Sequence, residues 1–73
     1  MDKAQETWEG ATWPDIGSKW LHVKSGNVYQ VTGKVLREAD LEPLVVYTRS
    51  ASARHPSWAR PLREFMDGRF SPC

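Results

Sequence analysis

Apolar residues are densest in the segment from Glu42 to Arg49, which contains the run Leu-Val-Val-Tyr. Its β-branched and aromatic residues favour a strand. Pro43 has no N–H for a ladder, so it fits only the first position of a strand or an edge. Alternation along a strand places Leu44, Val46 and Thr48 on one face and Val45, Tyr47 and Arg49 on the other. Both faces begin with apolar residues, and the segment is therefore predicted as the best-buried strand of a small sheet.

A shorter alternating segment precedes it and predicts the first arm of a β-hairpin. Over Lys19–Lys24, the alternation places Leu21 and Val23 on one face and Trp20, His22 and Lys24 on the other. Ser25-Gly26-Asn27 follows at once, and Gly and Asn tolerate the positive φ of a tight turn. The chain is therefore expected to reverse direction at these three residues.

The second arm of this hairpin is predicted over Val28–Leu36. Alternation puts Tyr29, Val31 and Val35 on one side and Gln30, Thr32 and Lys34 on the other. Gly33 in the middle indicates a bulge or a sharp bend, the device with which small barrels turn corners.

The C-terminal part predicts one more strand and a helical turn. Ser57–Arg60 suits a short strand that Pro61 stops. Leu62, Phe65 and Met66 follow at i, i+3 and i+4, the spacing of one apolar helical stripe. Four or five short strands with turn signals predict a mainly β fold, with two alternatives: a small SH3-like barrel, or a strongly bent antiparallel sheet with a short C-terminal helical turn packed on one face.

The chain of 73 residues is expected to form one small domain. Residues 1–16 hold four acidic residues and one lysine, a net charge of −3. They are predicted as a flexible acidic arm, because an isolated helix over Ala4–Glu9 is too short to be stable in water. Residues 17–73 have a net charge of +4. Within them, residues 17–70 are predicted as the β domain and residues 71–73 as a disordered tail.

Cysteine usage and hydropathy bear on the compartment. Cys73 is the single cysteine, which excludes an internal disulfide and favours a reducing cytoplasm. No stretch of the sequence is apolar over the length that a membrane span needs. We therefore expect a cytoplasmic location and no membrane partner.

Motifs for catalysis, metal binding and cofactors do not stand out. His22, His55 and Cys73 are scattered singly, with no ligand pair on one element. No serine lies in a recognisable nucleophile motif, and the glycines are dispersed instead of forming a phosphate loop. We therefore expect no catalytic residue, no metal and no cofactor. Hydrolysis of a small phosphate ester with His22 as acid and base is the enzymatic alternative.

Basic and aromatic residues are interleaved instead, as in surfaces that bind a nucleotide or single-stranded nucleic acid. On one face of the strand predicted over Lys19–Lys24, the ring of Trp20 for stacking, the hydrogen-bonding imidazole of His22 and the cation of Lys24 lie side by side. The expected ligand-binding residues are Trp20, His22, Lys24, Glu42, Tyr47, Arg49, Trp58 and Arg60. The alternative for the first strand is structural: Trp20 covers the barrel floor, His22 hydrogen-bonds a loop and Lys24 is solvated.

Glu42 is a special case, because it stands directly before Pro43 at the head of the buried strand. A pair with Arg60 or Lys24 is expected, either as a structural salt bridge or as a ligand clamp. Arg60 itself precedes Pro61, whose rigid backbone holds the guanidinium beside Trp58.

Three blocks of residues resemble a known family. They are Trp20-x-His22-x-Lys24-x-Gly26-x-x-Tyr29-x-Val31, then Leu41-Glu42-Pro43-Leu44-Val45-Val46-Tyr47, then Trp58-x-Arg60-Pro61-Leu62-x-x-Phe65. Their order is similar to that of domain of unknown function 1653, a family of short bacterial and phage proteins, over about Gly17 to Phe70. This chain has Trp20 where the family usually has Tyr, Val23 where an aromatic residue is common, and no His in Arg37–Asp40. The resemblance implies a compact β domain and no particular activity.

The leading hypothesis is a non-enzymatic binding module for a nucleotide or a nucleic-acid phosphate. A phage origin, in which the chain acts in an infected host cell, makes host-directed roles more plausible. The rival hypothesis is an adaptor or inhibitor of a host protein that uses the Trp-bearing arm Met1–Trp13 and a barrel edge. A homodimer is also expected to be accessible, through an edge strand or through Trp8 and Trp13.

Overall fold

The computed structural model describes residues 2–49 and 54–73, which form two helices and one sheet of five strands. In chain order the elements are α1 (Lys3–Gly10), β1 (Lys19–His22), β2 (Val28–Leu36), β3 (Pro43–Thr48), β4 (Ser57–Pro61), α2 (Leu62–Phe65) and β5 (Phe70–Pro72). No helix in the described part of the chain is long and apolar enough to cross a membrane.

The sheet is antiparallel with the strand order β4-β3-β2-β1-β5, so that β4 and β5 are its two edges. The prediction of a mainly β fold is confirmed. Of its two alternatives, the structure has the antiparallel sheet and not the barrel, because the sheet stays open. It is nevertheless strongly bent. Four strand spacings of a flat sheet would separate the edges by about 19 Å, yet the guanidinium carbon of Arg60 on β4 lies 5.6 Å from the ring centroid of Phe70 on β5.

The core lies on the concave side of this bend, called the inner face below. Cross-strand pairing sets its members side by side: Trp20 with Tyr29, Val31 with Tyr47, Tyr47 with Trp58, Val45 with Arg60, and His22 with Phe70. The short helix α2 closes the inner face with Phe65, which is 0% exposed and stacks on Phe70 at 4.3 Å between centroids. As predicted, β3 is the best-buried strand, since it contributes Val45, Tyr47 and Thr48 to the buried residues.

A bulge in β2 changes which side chains reach the inner face. Val31 is opposite Tyr47, but the next pair is Gly33 with Val46, so one extra residue of β2 is accommodated between them. The predicted irregularity at Gly33 is thus confirmed. The prediction that Val35 shares a face with Tyr29 and Val31 is wrong, because Val35 lies beyond the bulge. It is opposite Leu44 on the outer face and is 41% exposed. The alternation is shifted by one residue beyond the bulge.

The N-terminal segment differs from the flexible arm predicted for residues 1–16, of which Met1 lies outside the described residues. Asp2 caps α1 by accepting a hydrogen bond from the backbone N–H of Gln5 at 2.8 Å. Trp8 and Trp13 pack together with ring centroids 5.3 Å apart, and Lys34 Nζ lies 5.0 Å from the Trp8 ring. A helix too short to be stable alone is therefore held by a cap and by tertiary contacts.

The C-terminal end also differs from its prediction. Residues 71–73 were expected to be disordered, but Ser71 and Pro72 belong to β5, which pairs with β1. The backbone N–H of Cys73 donates to the carbonyl of Lys19 at 3.0 Å. Burial of Phe70 anchors this short strand, because its ring enters the core between Tyr47 and Phe65.

Candidate ligand-binding site

Two adjoining cavities lie where the edges of the bent sheet approach each other. The smaller, called the aromatic pocket below, measures about 170 Å³ and is lined by His22, Tyr29, Tyr47, Trp58, Arg60 and Phe70. The larger, called the basic cleft, measures about 770 Å³ and is lined by His22, Val23, Lys24, Arg60, Asp67, Gly68 and Arg69. His22 and Arg60 belong to both walls, so the two cavities are direct neighbours.

The aromatic pocket is lined by one ring from each of the five strands, namely His22, Tyr29, Tyr47, Trp58 and Phe70. Tyr29 meets Tyr47 and Trp58 edge-on, with centroids 5.3 and 5.8 Å apart and interplanar angles of 89° and 90°. Tyr47 and Trp58 are closer to parallel, at 26° and 6.2 Å. Edge-to-face packing of this kind fixes the orientation of the rings. Trp58 remains 40% exposed on the edge strand, which leaves part of a large ring open to a ligand.

Arg60 is the cation at the junction of the two cavities. Its Nε donates to the hydroxyl oxygen of Tyr47 at 3.2 Å, and its guanidinium lies over the ring of Phe70. The hydrogen bond to Tyr47 is the main reason that the pKa of Arg60 is raised above its ordinary value, with a smaller contribution from the charge of Glu64. The charge is therefore permanent, and its position is fixed by contacts within the domain.

The basic cleft continues from Arg60 through a chain of ion pairs. Glu64 on α2 places the same oxygen, Oε1, 3.7 Å from Nη1 of Arg60 and 2.7 Å from Nη1 of Arg69. Arg69 also contacts Asp67, with 3.4 Å between Nε and Oδ2. Among the described residues that line this cleft, Lys24, Arg60 and Arg69 are cations and Asp67 is a carboxylate. Glu64, which pairs with Arg60 and Arg69 beside the lining, adds a second carboxylate. Without counting His22, the balance of these five side chains is one positive charge.

The three candidates on β1 and its turn are separated by the structure. His22 enters the aromatic pocket, where its ring is 4.9 Å from that of Phe70 and its Nδ1 is 2.7 Å from Ser25 Oγ. Lys24 lines the basic cleft. Trp20 lies on the same face but packs edge-on against Phe65 at 5.2 Å, and its Nε1 donates to Ser18 Oγ at 2.9 Å. Trp20 is thus part of the core, beneath α2.

Glu42 and Arg49 also stand apart from the two cavities. Glu42 pairs with Arg63, with 3.1 Å between Oε1 and Nε, so the expected pair with Arg60 or Lys24 is wrong. The reason is that α2 follows β4 directly and brings Arg63 over the start of β3. Glu42 lines a different, mostly apolar cavity of about 560 Å³ between α2 and the N-terminal segment. Arg49 is exposed just beyond β3 and lines neither the aromatic pocket nor the basic cleft.

The site also contains residues that the sequence analysis did not select. They are Tyr29, Phe70, Val23, Asp67, Gly68 and Arg69. The pairing of β5 with β1 brings the C-terminal residues into place, and no local pattern announced that pairing. For Tyr29, the alternation already indicated a ring on the face that also carries Val31. Within the described part of the chain, no three His, Cys, Asp or Glu side chains come together as a metal site.

The comparisons with known proteins agree with the resemblance seen in the sequence. The family model described as protein of unknown function (DUF1653) matches residues 18–69, and the chain belongs to this family. The matched region runs from the residue before β1 to the residue before β5. It includes the lining of both cavities except Phe70. No curated protein and no solved structure was found to match the chain.

Proposed function

We propose that this member of the DUF1653 family is a non-enzymatic binding module for a nucleotide or a nucleic-acid phosphate. The base would enter the aromatic pocket and the phosphate would lie in the basic cleft. The observation that carries the proposal is the shared wall of the two cavities, where His22 and Arg60 join four aromatic rings to a group of cations.

The aromatic pocket suits one flat ring. Its volume of about 170 Å³ leaves little room beyond a single base, and Trp58 offers a partly exposed face for stacking. Stacking of a base on an aromatic side chain contributes about 1–3 kcal/mol. Arg60 already lies over Phe70 within the group of rings, so a ligand cation would be repelled there, whereas an anionic ligand is favoured.

The basic cleft suits the phosphate. Arg60 has several N–H groups beyond the Nε that Tyr47 engages, and Lys24 and Arg69 lie on the same cleft. Guanidinium groups bind phosphate oxygens through paired, charge-assisted hydrogen bonds. Because the net charge of the cleft is small, we expect modest affinity that decreases as salt is raised.

Calorimetric titration with purine and pyrimidine 5′-nucleotides and short oligonucleotides at low salt tests the proposal. Arg60→Ala is expected to weaken binding about tenfold or more, the range of a hydrogen bond to a charged group. Arg63→Ala makes the same change of net charge on the neighbouring helix, where the side chain pairs with Glu42 outside the site. It is the matched control and should bind normally. If no nucleotide or oligonucleotide binds at low salt, the proposal is wrong.

The rival hypothesis, an adaptor or inhibitor of a host protein, has less support. Trp8 and Trp13 are half-buried and contact each other and Lys34, so only part of each ring is left to contact a partner. The two edge strands end in Pro61 and Pro72, which offer no N–H to an added strand. A cytoplasmic place of action remains part of our proposal, on the ground of the single cysteine.

A further inference from the structure

One carboxylate occupies the position at which two cleft arginines converge. Oε1 of Glu64 lies 2.7 Å from Nη1 of Arg69 and 3.7 Å from Nη1 of Arg60. These are the two guanidinium groups of the basic cleft among the described residues. Carboxylate and phosphate oxygens are bound by guanidinium groups in the same way. The oxygen of Glu64 therefore marks the place where an oxygen of an anionic ligand would be held.

The backbone of Glu64 is held firmly, while its side chain is not. The next residue, Phe65, is fully buried and fixes α2 on the inner face. The side chain of Glu64 is 33% exposed and that of Arg69 is 49% exposed. Ion pairs that are exposed to this extent are weak. The carboxylate can consequently rotate into solvent without disturbing the core.

We propose that Glu64 is a resident competitor for the anion site: it neutralises Arg60 and Arg69 in the free protein and swings away when the ligand phosphate binds. This inference rests on the proposed function and adds a statement about specificity. A ligand with one carboxylate replaces Glu64 with an equivalent group and gains little, because the internal carboxylate has a high effective concentration. A phosphate with two negative charges gains more. The preferred ligand is therefore a phosphate monoester or a pyrophosphate.

The test compares pyrophosphate and acetate binding by the native chain and by two variants at low salt. Glu64→Gln keeps the size of the side chain and removes the competing charge. We expect Glu64→Gln to bind pyrophosphate at least about fourfold more tightly than the native chain does. This factor is the repulsion between the Glu64 carboxylate and one ligand charge about 5 Å away at the dielectric constant of water, which gives the smallest value. Glu38→Gln changes an exposed acid in the loop between β2 and β3. It makes the same change of net charge far from the cleft and should bind like the native chain.

A second measurement follows Glu64 directly in the native protein. Its side-chain carboxyl carbon is expected to shift in NMR spectra as pyrophosphate is added, and not as acetate is added. If Glu64→Gln binds pyrophosphate with the same affinity as the native chain, or if the Glu64 carboxyl signal stays in place, the inference is overturned and the proposed function stands. If neither the native chain nor Glu64→Gln binds pyrophosphate, the inference is overturned, and the proposed function is decided separately by the titration with nucleotides and oligonucleotides.

Discussion

The hydroxyl of Tyr47 is expected to hold the key cation of the site in place, and Tyr47→Phe removes only that oxygen. Tyr47 is buried, and its hydroxyl accepts from Nε of Arg60 at 3.2 Å. Hydrogen bonds to charged groups contribute about 1.5–3 kcal/mol. Because the Arg60 side chain is 30% exposed, water can replace part of the lost hydrogen bond. We therefore expect Tyr47→Phe to lower the free energy of unfolding by about 1 kcal/mol.

The loss is measurable in a domain of this size. About 1 kcal/mol corresponds to a decrease in Tm of about 4–8 °C for 60–100 residues, and urea denaturation gives the free energy directly. Tyr29→Phe is the matched control, since Tyr29 packs on the same rings while no hydrogen bond of its hydroxyl occurs among the described residues. It should unfold like the native chain. If both variants lose the same free energy, the hydroxyl of Tyr47 does not position Arg60.

Three further predictions concern the core, the N-terminal helix and the loop before β3. Phe65→Ala empties a fully buried position and should cost about 3–5 kcal/mol in urea unfolding. Lys34→Gln removes the cation above Trp8, worth about 0.5–1 kcal/mol, so amide exchange in α1 should accelerate while that in β3 stays slow. The pKa of Asp40 is lowered from 3.8 to about 2, mainly by its hydrogen bonds from Arg37. An NMR titration that follows the Asp40 carboxyl carbon should therefore give a midpoint near pH 2.

The sign of the Asp40 effect follows from its lowered pKa. Because the folded state binds the proton less tightly than the unfolded state, the stabilising effect is present above about pH 4 and is lost as the pH falls towards 2. Asp40→Asn should therefore flatten the decrease in stability over this range. A titration midpoint near 3.8 would contradict the Arg37 contact, unaltered exchange in α1 would contradict the role of Lys34, and a small loss in Phe65→Ala would contradict the packing of α2.

Alternation along the strands predicted much of the inner face. It placed His22, Val45 and Tyr47 on faces that the structure turns inward, and the turn at Gly26 and the irregularity at Gly33 were visible as glycines. Residue spacing says which face a side chain occupies, but not what covers that face. Trp20 and His22 are both on the inner face, yet α2 packs over Trp20 and leaves His22 in the pocket.

The remaining differences come from contacts between distant parts of the chain. The pair of Glu42 with Arg63, the packing of Trp8 on Lys34 and the pairing of β5 with β1 each join residues that no local pattern links. The extra residue in β2 moves every later side chain of that strand to the opposite face of the sheet from the one predicted, which is why Val35 faces outward. The short length of α1 similarly predicted a flexible arm, because length alone does not reveal the tertiary contacts that stabilise this helix.

The indole N–H signals of the four tryptophans provide the most direct test of the binding site. Of these rings, Trp58 lines the aromatic pocket, Trp20 packs under α2, and Trp8 and Trp13 pack at the N-terminal helix. An NMR titration of the ¹⁵N-labelled chain with a purine 5′-nucleotide at low salt should shift the Trp58 signal and leave the other three in place. If the Trp58 signal stays unchanged up to millimolar nucleotide, or if only Trp8 and Trp13 respond, the aromatic pocket is not the binding site.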